Sequence, residues 1–292
     1  MESSSKFTPY ALIAPSLAIV FGLILYPVGY SIWLSLFSKH AYLPVQEFIG
    51  LGNYIAFLQN PEFWRSVYLG AIFAGGSVIL QIVMGVLASL VLNEEFKGRS
   101  VVRAIVLFPY MLPAIVVVLL MRWLLNDTYG VIKNLMTQAG LGNYTVVWFS
   151  PDYIMLTLIL ISVWIYFPFV VMAVLARLQS IDSELYDAAK IDGAGPIRRF
   201  IHVTLPQIRD VLFVVILLRV IFMFTKFDLV WLLVGAGGIG YYVRTLPIYT
   251  FVTSFGELQV GAGAALSVMM FISLLVFALL YFRMFREEEG ES

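Results

Sequence analysis

The chain has 292 residues, of which 61% are hydrophobic and only 12% are charged, and it contains no cysteine. This composition favours lipid over water as the surroundings, and the lack of cysteine excludes disulfides and thiolate metal sites. Eighteen basic and eighteen acidic residues give a formal net charge of zero, so no overall electrostatic attraction predicts nucleic acid as a partner.

Six long apolar stretches follow one another along the chain. A helix needs roughly 20 apolar residues to span a bilayer, and backbone groups in lipid must be hydrogen-bonded within their own segment. Each stretch therefore predicts one transmembrane helix. The predicted spans are residues 11–37, 67–92, 104–121, 153–176, 211–234 and 260–282. The predicted fold class is all-α: a polytopic membrane protein in which residues 1–292 form a single transmembrane domain.

The basic residues predict the orientation of these spans. With the N-terminus inside, eleven of the 18 Lys and Arg residues fall in inward segments, five in outward segments and two within the fifth span. Because Lys and Arg accumulate on the cytoplasmic side, both termini are predicted to be cytoplasmic.

The second and fourth spans carry residues with packing or binding potential. Gly75, Gly76 and Gly85 in the second span predict close helix packing. In the fourth span, Trp164 and Tyr166 are candidates to line a substrate pathway, since aromatic rings stack on the apolar face of a solute and a phenol binds hydroxyl groups. Packing between helices or against lipid is the alternative for these aromatics.

A polar loop over about 182–207 separates the fourth and fifth spans. Asp182 or Ser183 can cap a helix start, residues 185–191 can wind two turns, and Gly193 can end the helix. The restart at residues 197–203 is amphipathic, with basic residues placed for lipid headgroups, and Leu205-Pro206 is predicted to stop it.

The first helix of this loop has the features of a docking element. Ala188 and Ala189 leave one face bare, so another protein surface can approach closely. Glu184 and Asp187 lie three residues apart on one helical face and can meet basic groups of that partner. An ordinary connection at the membrane interface is the alternative.

Three charged residues fall in the fifth span: Arg219, Lys226 and Asp228. Charges in a membrane are costly, so these side chains are expected to face the bundle interior or water, beside a pathway. Because Lys226 and Asp228 are two residues apart, a continuous helix would place them on different faces. Substrate contact and structural pairing both remain open, and Arg219, nearer the inner end, is predicted to be structural or gate-related.

The polar loop resembles a motif of permease subunits of bacterial ABC importers, which reads Glu-Ala-Ala, three residues, Gly, nine residues, Ile, one residue, Leu-Pro. Asp187-Ala188-Ala189, Gly193, Val203 and Leu205-Pro206 stand at the matching spacings, with Asp in place of Glu and Val in place of Ile. The resemblance implies the type I ABC importer permease fold. It also implies coupling to a cytoplasmic ATPase subunit through the following residues of the loop: Glu184, Asp187, Ala188, Ala189, Gly193, Leu205 and Pro206.

Further segments resemble the carbohydrate branch of that family. They include Ala14-Pro15-Ser16-Leu17, Gly50-Leu51-Gly52-Asn53-Tyr54, Ile191-Asp192-Gly193-Ala194 and Thr245-Leu246-Pro247-Ile248-Tyr249. The resemblance implies a sugar substrate, a second homologous permease, two ATPase subunits that hold ATP and Mg, an extracytoplasmic solute-binding protein, and a prokaryotic inner (plasma) membrane. A glycerol-phosphate or polyol-type solute is the alternative substrate.

The chain itself is not predicted to be an enzyme. It contains no Walker loop, no H-E-x-x-H and no G-x-S-x-G, and His40 and His202 have no companion ligands at metal spacing, so neither catalytic residues nor a cofactor or metal site are predicted. An ion-driven secondary transporter would need matching charged or interrupted helices in its two halves, and one charged span does not supply them. A membrane scaffold that uses the docking helix without transport is the remaining alternative.

Overall fold

The computed structural model describes residues 8–140, 146–235 and 237–290, and they are mostly helical. Two compact units divide the chain. The smaller unit contains the residues up to Arg65 together with Tyr249–Val276, and the larger unit contains Ser66–Ile248 together with the residues from Phe277 onward. That the whole chain acts as one permease domain stays a prediction.

The helices of the described residues are numbered α1 to α14 in chain order. The bounds in the first half are α1 Thr8–Val20, α2 Tyr26–Leu34, α3 Gly52–Gln59, α4 Pro61–Asn93, α5 Arg99–Leu107, α6 Ala114–Leu124 and α7 Val131–Gln138. Those in the second half are α8 Ile154–Leu178, α9 Ser183–Ile191, α10 Pro196–Arg199, α11 Leu205–Phe224, α12 Asp228–Val234, α13 Leu246–Phe251 and α14 Val260–Gly290.

Four described helical segments are long and apolar enough to cross a membrane: Leu12–Leu34, Pro61–Asn93, Ile154–Leu178 and Val260–Phe285. They correspond to the first, second, fourth and sixth predicted spans. The first span consists of α1 and α2 joined by a π-helical turn at Phe21–Leu25. It ends at Leu34, three residues before the predicted end at residue 37.

The third predicted span, 104–121, is not one straight helix. Arg99–Met111 and Ala114–Leu124 meet at an angle of 101°, and they make a fifth span only if the bent pair is counted as one. Pro113 explains the break: the residue before a proline is pushed out of the α region, and Leu112 is extended at φ −77° and ψ 136°.

The fifth predicted span, 211–234, is also divided. α11 ends at Phe224 and α12 begins at Asp228. The Thr225 hydroxyl donates a hydrogen bond to the Ile221 carbonyl oxygen at 2.8 Å, so it competes with the backbone ladder where the helix ends. α11 also carries three charged residues, Arg209, Asp210 and Arg219.

The smaller unit departs from a purely α-helical fold. Strands β1 (Phe37–Lys39) and β2 (Gln46–Phe48) form an antiparallel hairpin in which Phe37 pairs with Phe48. The Asn53 side-chain amide donates hydrogen bonds to the carbonyl oxygens of Ser35 and Phe37 at 2.8 and 3.0 Å. Asn53 thereby fixes the backbone between α2 and β1, which apolar periodicity alone does not predict.

The core of the larger unit lies between α4, α8 and α11. Its buried apolar cluster consists of Val86, Val170, Val174, Leu178, Ile208 and Val215. α4 and α8 also meet through polar groups: the hydroxyls of Ser77 on α4 and Ser162 on α8 lie 2.7 Å apart and are both buried. A Cβ atom built on Gly85 would lie 2.5 Å from Cβ of Val170, and one on Gly76 would lie 3.0 Å from Cδ1 of Ile159, so the predicted close packing of the second span is confirmed at these two glycines. It is wrong for Gly75, where an added Cβ meets nothing within 4 Å.

Candidate functional site

The docking helix predicted in the polar loop is present as α9. Asp182 is its N-cap, and its Oδ1 atom accepts a hydrogen bond from the Glu184 backbone N–H at 3.0 Å. Gly193 follows the helix at φ +75°, in the left-handed region. The Ala194 N–H donates to Ala189 O at 2.9 Å and the Gly193 N–H to Lys190 O at 3.0 Å, which is the Schellman pattern that favours glycine here.

The exposed face of α9 contains the predicted docking residues. Glu184, Asp187 and Ala188 are exposed, and Ala189 is half-buried. Asp187 Oδ1 already pairs with Lys190 Nζ of the same helix at 2.8 Å, with both side chains more than half exposed. An exposed pair of this kind stabilises a helix by only about 0.5 kcal/mol, so it leaves Asp187 free to exchange partners.

The segment after Gly193 differs from its prediction, because Leu205-Pro206 does not stop it. α10, a π-helical turn at Phe200–Thr204, and α11 follow without a gap. The Leu205 N–H donates to the Phe200 carbonyl, five residues back, and this wider turn accommodates Pro206, which has no N–H to donate. One helix therefore extends from the loop into the core of the larger unit.

α9 is hydrogen-bonded to that continuous helix. The hydroxyls of Tyr186 and Thr204 lie 3.2 Å apart, and Thr204 is buried. Between the two helical pieces lies a cleft of about 370 Å³ whose lining includes Ala188, Ala189, Arg198, Arg199 and His202. The bare alanine face and the basic side chains thus border one concave surface.

A second concave site lies where α11 ends. This cavity of about 430 Å³ is lined by five aromatic rings and three charged groups. Its lining residues are Tyr110, Tyr166, Phe169, Arg219, Phe222, Met223, Thr225, Lys226, Phe227 and Asp228. Tyr166, Lys226 and Asp228, three of the four predicted pathway residues, therefore share one cavity. Trp164, the fourth, is half-buried on α8 and does not line it.

Arg219, for which the sequence predicted a structural or gate-related role, lines this cavity. Its side chain is only 3% exposed. Nε donates to Gln81 Oε1 at 2.8 Å, and the guanidinium carbon lies 5.1 and 5.5 Å from the ring centroids of Tyr166 and Phe169. Within the described residues, Nη2 is buried and has no hydrogen-bond partner.

Lys226 and Asp228 form an ion pair at 3.0 Å between Nζ and Oδ1. The placement on different helical faces assumed a continuous helix, but the chain between α11 and α12 is not helical, so the structural pairing that the sequence left open can form. The Lys226 side chain is 20% exposed and that of Asp228 is 48% exposed. Lys226 Nζ also lies 4.7 Å from the Tyr166 ring centroid.

Gln81, which orients Arg219, was missed at the sequence level, as was the cavity residue Tyr110. A signal for Gln81 was present, since Ser77, Gln81, Gly85 and Ser89 recur every four residues and so form one polar and small stripe on α4. Tyr110 lies in the helical turn Phe108–Met111 before the Pro113 break, and no periodicity marks it. Among the described residues, no three His, Cys, Asp or Glu side chains are grouped to hold a metal ion.

Comparisons with known proteins agree with this architecture. Residues 81–286 match the model of a family described as binding-protein-dependent transport system inner membrane component. The chain is 34% identical to the trehalose/maltose transport system permease protein MalF of Thermococcus litoralis, over 95% of this chain and 93% of that protein. It is 32% identical to the sulfoquinovosyl glycerol transport system permease protein SmoG of Agrobacterium fabrum, over 99% of this chain and 94% of that protein.

A solved structure has the same fold. It is the crystal structure of a bacterial ABC transporter involved in the import of the acidic polysaccharide alginate, and the match has a TM-score of 0.83 at 23% identity. The match covers 96% of this chain and 95% of that chain. At this identity the likeness concerns the fold alone.

Proposed function

This chain belongs to the binding-protein-dependent transport system inner membrane component family, as a carbohydrate-type ABC importer permease, and from that premise we propose that it carries a sugar across the membrane of a prokaryote in an ATP-driven complex. A single observation carries the proposal. The exposed, capped helix α9 is hydrogen-bonded, through Tyr186 and Thr204, to a continuous helix that ends at the aromatic and charged cavity.

The continuous helix is the element that transmits movement. From Leu205 to Arg219 it covers about 21 Å at 1.5 Å per residue, from the polar loop to the cavity wall. α9 is the contact with the ATPase subunit, through Glu184, Asp187 and the alanine face. ATP binding by the partner subunits favours one arrangement of the helices, and the loop transmits this preference, so that the cavity opens to alternate sides.

The remaining components follow from the same assignment. A second, homologous permease completes the membrane part, two ATPase subunits hold ATP and Mg and carry out the hydrolysis, and an extracytoplasmic binding protein delivers the solute. This chain does no bond chemistry. Both of its termini are cytoplasmic in this arrangement, as the distribution of Lys and Arg predicts.

The substrate class is supported by the cavity and by the relatives. Tyr110, Tyr166 and Phe169 present aromatic rings to the cavity, and such rings pack against the apolar face of a sugar. The similar permeases are named for trehalose and maltose and for sulfoquinovosyl glycerol, so carbohydrates are common to both.

Reconstituted transport tests the proposal. The chain is co-expressed with its companion permease and ATPase subunits, placed in proteoliposomes, and assayed for ATP hydrolysis with a panel of sugars loaded on the binding protein. We expect one or more loaded sugars to stimulate hydrolysis and to accumulate inside the vesicles. Uptake that proceeds on an ion gradient without ATP would contradict the proposal.

A charge reversal tests α9 as the coupling contact. The double variant Glu184→Lys/Asp187→Lys is expected to insert normally but to lose most sugar-stimulated hydrolysis, because both exposed carboxylates of the docking face are reversed. Glu94→Lys/Glu95→Lys is the matched control, since these carboxylates are also exposed but lie outside the polar loop. If both double variants show the same sugar-stimulated ATP hydrolysis, α9 is not the coupling contact.

A further inference from the structure

The cavity at the end of α11 has an excess of positive charge. Two cations and one carboxylate line it, and the other described lining residues are uncharged, so the net charge is +1. The single carboxylate, that of Asp228, is already paired with Lys226. Arg219 therefore has no anionic partner among the residues that line the cavity.

A buried cation without a counter-charge is costly. Arg219 is 3% exposed, and its contacts are one neutral amide oxygen and the faces of two aromatic rings. These contacts orient the guanidinium but do not neutralise it, and the loss of hydration of a buried ion amounts to several kcal/mol. An anion that entered the cavity would offset part of this cost, because opposite charges attract more strongly where water is excluded.

Lys226 is placed to meet such an anion directly. Its side chain remains 20% exposed at the cavity, and an ammonium group has three donors; Asp228 accepts one, and the Tyr166 side chain is hydrogen-bonded to Lys226 as well. Asp228 is 48% exposed and can be hydrated when Lys226 turns toward a ligand. Lys226 thus supplies the contact, and Arg219 supplies a fixed positive charge near the same Tyr166 ring.

We propose that this cavity selects carbohydrates that carry an anionic group, such as a carboxylate, sulfonate or phosphate, over neutral sugars. The sugar ring packs on the aromatic wall of Tyr110, Tyr166 and Phe169, while the anionic group lies at Lys226 and Arg219. The inference rests on the proposed transport of carbohydrates through this cavity and adds the charge of the transported solute. A neutral sugar would fill the same volume but leave Arg219 without a counter-charge.

Direct binding to the assembled transporter tests this inference. The complex of this chain with its companion subunits, without the binding protein, is titrated by ligand-observed NMR with four probes that differ only at C6 of glucose: glucose, glucuronate, 6-deoxy-6-sulfoglucose and glucose 6-phosphate. Hydrogen bonds to charged groups are stronger than those between neutral groups, so we expect at least one anionic probe to bind about tenfold or more tightly than glucose. The anionic probe with the highest affinity identifies the preferred group.

Variants test whether the charges of the cavity, and not charges elsewhere in the complex, cause the preference for anionic probes. Lys226→Gln is expected to reduce the preference to about threefold or less, while Lys226→Arg keeps most of it, because the second variant keeps the positive charge. Lys133→Gln is the matched control, since Lys133 bonds to the Asp127 carbonyl and does not line the cavity. Its probe affinities are expected to equal those of the unchanged complex.

Two results would overturn the inference: glucose binding as tightly as all three anionic probes, or an anionic preference that survives in Lys226→Gln and in Arg219→Gln alike. The ATPase assay keeps this failure distinct from failure of the proposed function. Hydrolysis stimulated by a neutral sugar on the binding protein, together with no anionic preference, would retain the sugar importer and reject only the selectivity. If no sugar of either kind stimulates hydrolysis, the importer assignment itself fails.

Discussion

Replacing Gly85 by Ala tests the contact between α4 and α8 that supports the cavity. An ideal Cβ atom on Gly85 would lie 2.5 Å from both Cβ and Cγ1 of Val170, where about 3.5–4.0 Å is the optimal separation of carbon atoms. Val170 is fully buried, and a rotamer change cannot move its Cβ atom. The two helices must therefore separate by roughly 1 Å or more to admit the new methyl group.

The expected magnitude follows from two opposing effects. Overpacking a buried contact costs about 1–3 kcal/mol, while Ala favours a helix over Gly by up to about 1 kcal/mol. The net prediction for Gly85→Ala is a loss of about 1–2 kcal/mol, or a fall of about 2–6 °C in Tm. Thermal unfolding of the detergent-solubilised protein, followed by tryptophan fluorescence, measures it.

Gly75→Ala is the matched control on the same helix. An added Cβ there meets nothing within 4 Å, so the variant is expected to be neutral or stabilised by up to about 1 kcal/mol. Adding Val170→Gly to Gly85→Ala removes the side chain on α8 that the new methyl group of α4 would meet. The double variant should recover part of the lost stability, and a double-mutant cycle would record this as coupling between the two positions. Equal Tm values for Gly85→Ala and Gly75→Ala would refute the packing argument.

Variants at three further positions probe the loop and the cavity. Gly193→Asn is expected to retain sugar-stimulated ATP hydrolysis and Gly193→Val to lose much of it, because Asn tolerates the φ of +75° whereas a β-branched residue is strained there by about 1–2 kcal/mol; ATPase assays compare the two. Gln81→Leu removes the acceptor of Arg219 Nε and should lower the free energy of unfolding by about 1.5–3 kcal/mol, measured by the same thermal unfolding. Asp228→Asn frees Lys226 and raises the cavity charge to +2, so glucuronate is expected to bind severalfold more tightly by NMR titration; unchanged affinity would argue against an electrostatic role.

Local signals in the sequence predicted local structure well. α9 begins at an Asp182 cap and ends at Gly193 as expected, since both features depend only on neighbouring backbone groups. The four uninterrupted apolar spans were likewise predictable, because lipid requires about 20 apolar residues in a helix.

Breaks within apolar segments were not predictable from hydropathy. Leu112 and Pro113 interrupt the third predicted span, and residues 225–227 interrupt the fifth, yet both remain apolar enough on average to read as continuous. The pairing of Lys226 with Asp228 depends on the second break, so the assumption of a continuous helix, which places the two residues on different faces, left pairing and substrate contact both open. The prediction at Pro206 was wrong in the opposite sense: a helix end was expected there, but a π-helical turn accommodates the proline and the helix continues.

The polar stripe of α4 explains why helix packing and cavity charge are linked. α11 carries three charged residues and is buried at Ile208, Val215 and Arg219, so it depends on α4 and α8 for its surroundings more than an apolar span would. Gln81 lies four residues before Gly85 on α4, and its amide both holds Arg219 and approaches the Ser162 carbonyl of α8 at 3.5 Å. A separation of α4 from α8 at Gly85 would move this amide away from α8 and loosen its hold on the guanidinium. Gly85→Ala is therefore expected to weaken anionic probe binding as well as stability, whereas Gly75→Ala, with open space around it, is expected to change neither binding nor the position of Arg219.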